Sequence, residues 1–182
     1  MKKIAIFASG TGSNAAKIID FFKNHKSISV SLIVSNKSDA GVLKVAEQYA
    51  IPTLVLEKEK FFRGNAFTDE LKEAGINFII LAGFLWKIPT ALIKAFPNSI
   101  INIHPALLPK YGGKGMYGQH VHQAVIDNKE TESGITIHFV DEHYDHGDII
   151  FQAKCSLQES DTAISVAAKV QQLEHEHYPK VI

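Results

Sequence analysis

Asn102 and His104 stand two residues apart in the segment Asn102-Ile103-His104-Pro105-Ala106-Leu107-Leu108-Pro109. On an extended strand that spacing sends both side chains to the same side. An amide donor beside an imidazole suits acyl transfer, in which one group stabilises an oxyanion and the other manages a proton. The same two residues can equally form a mutually satisfied structural pair. A second candidate is the turn Ser9-Gly10-Thr11-Gly12-Ser13-Asn14, which directly follows an apolar run and opens a helical pattern. Glycines there let the backbone turn sharply, and the N–H groups and dipole of a helix start favour an anion. A purely structural tight turn fits the same residues.

A third candidate is the charge-dense run Asp141-Glu142-His143-Tyr144-Asp145-His146-Gly147-Asp148, with four carboxylates and two histidines in eight residues. Such a run is either a solvated loop or, together with His120-Val121-His122, a metal site. Its spacing matches no standard zinc pattern, and no cysteine contributes. Two nucleotide signatures are missing. Gly112-Gly113-Lys114-Gly115 lacks Ser or Thr after the lysine, so it is not a P-loop. The second strand ends in Ser35-Asn36, with no acidic residue for a ribose hydroxyl.

These residues need a scaffold, and the pattern supplies one. Ile4–Ala8, Val30–Ser35, Thr53–Leu56 and Phe78–Ala82 read as short buried strands. Between them, Asn14–Phe22, Val42–Tyr49 and Phe67–Ala74 carry apolar residues at helical spacing, the last closed by Gly75. That β-α-β-α order predicts a parallel sheet with right-handed crossovers. Ser99–Ile103 reads as a fifth strand, which would put Asn102 and His104 at the strand end where open α/β sheets bind ligands. A Pro- and Gly-rich loop (105–118), a helix over Gln119–Asp127, strands over Gly134–Val140 and Ile149–Lys154, and a closing helix over Thr162–His177 complete the chain, with Pro179 just beyond that helix.

Composition narrows the function classes. The 182 residues suit one domain spanning 1–182, and 46% of them are hydrophobic, enough for a sizeable core. Nineteen basic residues balance nineteen acidic ones, which argues against a dedicated nucleic-acid binder. The single cysteine, Cys155, has no intramolecular partner and reads as a small buried residue in a reducing compartment. The first apolar run stops after five residues, short of a signal-peptide core, and no segment approaches a membrane span. A soluble cytoplasmic protein with no membrane partner is expected.

Taken in order, the three candidates resemble the formyl-folate transferase superfamily, and within it the glycinamide ribonucleotide transformylases. The matching elements are Gly12-Ser13-Asn14, Leu81-Ala82-Gly83-Phe84, Asn102 through Pro109, Asp145-x-Gly147, Gln152, Glu174-His175 and Tyr178-Pro179. The resemblance covers nearly the whole chain, and its Asn-x-His-Pro-x-Leu-Leu-Pro segment is specific to the superfamily. It implies a single Rossmann-like α/β domain, a mostly parallel twisted sheet with helices on both faces. It also implies direct formyl transfer from 10-formyltetrahydrofolate, as co-substrate, to the amine of phosphoribosylglycinamide through a tetrahedral intermediate, with no metal and no covalent enzyme intermediate.

Residue by residue, the resemblance makes Asn102, His104 and Asp145 catalytic. It gives Gly12, Ser13 and Asn14 the substrate phosphate, and Glu174 the substrate amine. Phe84, Leu85, Trp86, Ile88 and Tyr144 fall to the folate, and His138 and His120 to supporting roles. It further implies a cis bond at Leu108-Pro109. The loop Tyr111–Gly118 holds four glycines, which leave its backbone many conformations, so a mobile lid is expected there. A monomer or homodimer is expected. The chain departs from the family at Leu85-Trp86-Lys87-Ile88, where relatives commonly carry Met-Arg-Ile-Leu, and in a 112–118 stretch that is longer and richer in glycine. Three rivals are weaker. A deformylase would carry a domain before strand one, and a tRNA formyltransferase would need a basic C-terminal domain. A non-enzymatic binding module would not need an intact Asn102, His104 and Asp145.

Overall fold

The computed structural model describes residues 1–63 and 66–182. Its strands are β1 (Lys2–Phe7), β2 (Ile28–Ser35), β3 (Thr53–Val55), β4 (Phe78–Leu81), β5 (Ile100–His104), β6 (Glu132–Phe139) and β7 (Ile149–Ser156). The helices are α1 (Ser13–Phe22), α2 (Gly41–Gln48), α3 (Lys58–Phe62), α4 (Ala66–Glu73), α5 (Thr90–Ala95), α6 (Gln119–Asp127) and α7 (Ala163–Val181). The strands hydrogen-bond in the order β3-β2-β1-β4-β5-β6-β7. This is the expected α/β architecture, with a mostly parallel sheet. The chain forms two compact units, 1–101 and 102–182.

In the first unit β1 pairs in parallel with β2 and with β4, and β2 with β3. A strand flanked on both sides must be apolar on both faces, and Ile4, Ala5 and Ile6 of β1 are fully buried, as are Ile79 and Ile80 of β4. Helix α1 buries Ala15, Ile18, Ile19 and Phe22, the i, i+3, i+4, i+7 stripe of an amphipathic helix. Helix α4 ends as its glycine predicts. Gly75 has φ +76, its N–H donates to the Lys72 carbonyl, and the Ile76 N–H donates to the Leu71 carbonyl. That pair of bonds is a Schellman motif. The short helices α3 and α5 were not legible, because each is a turn or two long and buries one side chain, Phe61 or Leu92.

In the second unit β6 and β7 pair antiparallel, with a register shift between Ile137 and His138. Such bulges re-aim side chains and recur beside active sites. Helix α7 opens on a capping box in which the Ser165 N–H donates to Thr162 Oγ1 and the Thr162 N–H to Ser165 Oγ. It corrects one boundary: the helix runs through Pro179 to Val181 instead of ending before the proline. Proline sacrifices one backbone donor in a helix, and here it sits in the last turn, where Tyr178 and Pro179 are both buried.

Candidate active site

Strand β5 ends at His104, and its alternation places Asn102 and His104 on one side as expected. Asn102 Nδ2 lies 3.1 Å from His138 Nε2 and donates to Asp145 Oδ1 at 3.4 Å. His104 Nδ1 faces the same Asp145 oxygen at 3.5 Å. One amide, two imidazoles and one carboxylate therefore converge from β5, β6 and the loop before β7. Their burial is deep: the side chains of His104, His138 and Asp145 are 4%, 2% and 12% exposed.

Partners set the tautomers. His104 Nε2 is 2.7 Å from the Tyr111 carbonyl, and a carbonyl only accepts, so Nε2 carries the hydrogen. His138 Nδ1 is likewise 2.7 Å from the Phe139 carbonyl, which leaves His138 Nε2 to accept from Asn102. This second bond orients the Asn102 amide nitrogen toward the carboxylate. Burial pushes the His104 pKa below its ordinary value, with His138 adding to that; Asp145 and the Tyr111 carbonyl oppose it without cancelling it. Burial alone would raise the Asp145 carboxyl. The His138 and His104 imidazoles and the Gly113 N–H, which donates at 3.0 Å, outweigh burial and hold it below the usual carboxylate range. The resting site thus pairs a neutral imidazole with a charged carboxylate.

The loop before β7 has two halves with different surroundings. Asp145 turns inward from a left-handed backbone, φ +52. The loop is closed by the Phe139 N–H donating to the Asp148 carbonyl at 2.9 Å. Gly147 is required at that neck, because a Cβ there would run into the Phe139 carbonyl. Asp141, His143 and His146 stay at the surface instead, with His146 Nδ1 at 2.8 Å from Asp141 and the His143 N–H donating to it at 2.7 Å. Among the described residues their ligand atoms lie within 4.8 Å of one another, and neither His120 nor His122 joins them.

The segment after β5 is pinned by residues that motif reading did not explain. Thr136 Oγ1 donates to the Ala106 carbonyl at 2.7 Å and accepts from the Leu108 N–H at 2.9 Å. Gln152 Nε2 donates to the Leu108 carbonyl and to Thr136 Oγ1, at 3.0 and 2.8 Å. The Leu108-Pro109 bond is cis, as the resemblance implied. On α6 the buried imidazole is His122, whose pKa burial and neighbouring His104 push down, whereas His120 is exposed and packs edge-on against Tyr117.

In the first unit, Gly12 is the N-cap of α1 with φ +83, so Ser13 and Asn14 begin the helix. A Cβ on Gly12 would come within 2.8 Å of the Val42 backbone, so the turn needs glycine for space as well as conformation. Ser9 ties neighbouring loops together: its hydroxyl donates to Asn36 Oδ1 at 2.6 Å and accepts from the Leu85 N–H at 2.9 Å. The Phe84 ring packs edge-on against Phe7, while Phe61 and Phe62 stack against Trp86 at 5.6 and 5.5 Å. Leu85 is 44% exposed and Ile88 only 5%. In the second unit Tyr144 is exposed, and Glu174 sits half-buried on α7, one turn before the buried Tyr178.

Residues 2–182 match the family model described as formyl transferase. The chain is 42% identical to the chloroplastic phosphoribosylglycinamide formyltransferase of Arabidopsis thaliana, over 100% of this chain and 64% of that protein. It spans 60% of the corresponding protein of Vigna unguiculata, so both plant relatives are longer. It is 37% identical to the phosphoribosylglycinamide formyltransferase of Bacillus subtilis, over 100% of this chain and 93% of that one. The crystal structure of the same-named protein from Bacillus halodurans superposes with a TM-score of 0.89 at 35% identity, over 99% of this chain and 93% of that one. The chain belongs to the formyl transferase family and groups within it with the phosphoribosylglycinamide formyltransferases.

Proposed function

We propose that the chain transfers the formyl group of 10-formyltetrahydrofolate to the amine of phosphoribosylglycinamide, a step of purine biosynthesis. The observation that carries this reading is the convergence of Asn102, His104 and His138 on the single Asp145 carboxylate oxygen. The amine attacks the formyl carbon and the carbonyl oxygen becomes an oxyanion. Asn102 supplies a preorganised donor. Its bond to His138 is the shorter one and holds the amide in place. Its 3.4 Å contact to Asp145 is the longer one, and a substrate oxygen displaces it.

His104 is neutral at rest and takes a proton from solvent on Nδ1 as negative charge develops, where Asp145 stabilises the imidazolium; that proton returns to solvent once the oxyanion collapses. Asp145, charged at rest, accepts a proton from the attacking amine through water and delivers it to folate N10. The C–N10 bond breaks as the new amide forms. No metal enters this scheme.

The remaining assignments belong to the same reading. Gly12, Ser13 and Asn14 hold the substrate phosphate at the start of α1, a ten-residue helix with no acidic residue in its first turn. Glu174 holds the amine-bearing arm. Leu85 and Tyr144 expose side chains to the folate, and the buried Ile88 contributes through its main chain. Trp86, braced by Phe61 and Phe62, gives the folate a flat apolar wall where relatives commonly carry arginine. His138 acts as the support that orients Asn102, and His120 is left to a peripheral role. The protein acts as a monomer or homodimer on small molecules only. Among the described residues no helix is long and apolar enough to cross a membrane, and a cytoplasmic location is part of the proposal.

One assay tests the reading. The protein is mixed with 10-formyltetrahydrofolate, with and without phosphoribosylglycinamide. Formyl transfer that requires the amine substrate supports it. Release of formate to water alone, or no turnover in either mixture, overturns it.

A further inference from the structure

We infer that Glu130 is a positioning residue for His104 and acts through Tyr111. Its carboxylate anchors the Tyr111 side chain, and the anchored backbone carbonyl decides which imidazole nitrogen carries the proton. Tyr111 has φ +56, a left-handed conformation that a bulky non-glycine residue seldom adopts and that persists only where its surroundings impose it. Glu130 imposes it. The Tyr111 hydroxyl donates to Glu130 Oε1 at 2.8 Å, and Lys110 Nζ donates to the same oxygen at 2.8 Å.

Glu130 is itself fixed by the end of α6. The Lys129 N–H donates to the Ile126 carbonyl and the Glu130 N–H to the Val125 carbonyl, with Lys129 at φ +51, so a Schellman motif sets its backbone. The tether is needed because the site leaves room to move. Tyr111, Lys110 and Glu130 line a cavity of about 240 Å³ together with Leu107 and Ser133. A loosened Tyr111 could swing into that space and take its carbonyl away from His104.

The consequence is chemical. With the Tyr111 carbonyl 2.7 Å from Nε2, the neutral imidazole keeps its hydrogen there and turns a lone pair toward Asp145. Without that acceptor the Nδ1–H tautomer gains, because Nδ1–H can donate to the carboxylate. The groups that face His104 are Asp145 from the loop, His138 from β6 and His122 from α6. Among the described residues, only the Tyr111 carbonyl sits against Nε2.

The inference rests on the role of His104 proposed above, so its test reads the imidazole directly in protein free of substrate. Nitrogen-15 NMR of histidine-labelled protein gives the tautomer and titration of His104 in the wild type, Glu130→Ala, Tyr111→Phe and Glu130→Gln. The wild type should hold its hydrogen on Nε2. Glu130→Ala and Tyr111→Phe should shift population toward Nδ1–H and move the titration to lower pH, since an acceptor of the charged form is lost. Turnover should fall roughly tenfold or more in both, with a smaller change in KM, as expected when a reacting group is misplaced. Glu130→Gln should stay near the wild type, because its amide oxygen still accepts from Tyr111.

An unchanged His104 tautomer and titration in Glu130→Ala and Tyr111→Phe would overturn the inference. So would a Glu130→Gln protein as impaired as Glu130→Ala. Should Glu130→Ala fail to fold, Tyr111→Phe decides alone. Predicted NMR shifts in a protein whose wild type transfers no formyl group would sink the functional proposal and leave this inference standing.

Discussion

The turn at Gly12 and the cluster around Asp145 are both candidate binding machinery, built on opposite principles. The turn is made of backbone. Its glycine is required by a φ of +83 and by the Val42 backbone behind it, and the groups proposed to hold its ligand are main-chain N–H groups. The cluster is made of side chains drawn from β5, β6 and a loop, and each one's state depends on the others. A backbone site tolerates side-chain change and fails when the chain path changes. A side-chain site fails atom by atom. That contrast can be broken by mutation.

The largest effects should fall in the cluster. Asn102→Ala and Asp145→Asn should each lower kcat by roughly 10²–10³ with the fold intact by circular dichroism. The double variant should cost well under the product of the two, because the residues act as one unit. Steady-state kinetics check this, and near-normal turnover in Asp145→Asn returns its loop to a solvated charge run. Gly12→Ala comes next. It should raise KM for the phosphate-bearing substrate and destabilise the fold by about 1 kcal/mol or more, while kcat at saturation changes less. Against a glycinamide riboside lacking the phosphate, the KM effect should vanish. A KM penalty that persists there would mean that the turn is structural only.

Acid should act on the cluster through two groups with the same sign. Asp145 has a depressed carboxyl pKa in the folded state, so its stabilisation is present above the unfolded value and lost as pH falls through the folded one. His104 has a depressed imidazole pKa, so the unfolded chain binds its proton first and stability declines as pH drops below the ordinary histidine value. Thermal melts from pH 7 downward should therefore show a falling Tm, and His104→Gln should flatten the upper part of that fall. The smallest effect should be Asp141→Asn. Asp141 lies on the same loop as Asp145 but pairs with exposed histidines, so stability should change within about 0.5 kcal/mol. A large turnover loss there would erase the distinction between the two halves of the loop.

Local pattern carried much of the fold. Strands β1, β2 and β4 announced themselves as buried apolar runs, α6 lies in the region expected to be helical, and Gly75 marked a true helix end. The short α3 and α5 escaped because one buried residue per helix makes no period. Pro179 misled because proline is a helix breaker in general, yet costs little in a last turn anchored by buried Tyr178. For the site, Asn102 and His104 were legible because a strand's period of two is a local property. Asp145 was legible only through the family resemblance, since nothing local distinguishes it from Asp141 and Asp148.

What the sequence by itself determined was therefore whatever a short stretch of backbone dictates: the alternation of elements, the glycine turn, and the shared side of Asn102 and His104. Tertiary structure alone decided the protonation chemistry. The tautomer of His104 is set by a carbonyl seven residues away, that of His138 by its own strand end, and the charge on Asp145 by His138 and His104 on two other strands and by the Gly113 N–H 32 positions off. Proton positions depend on partners within about 3 Å, and the chain brings those partners together only once it has folded.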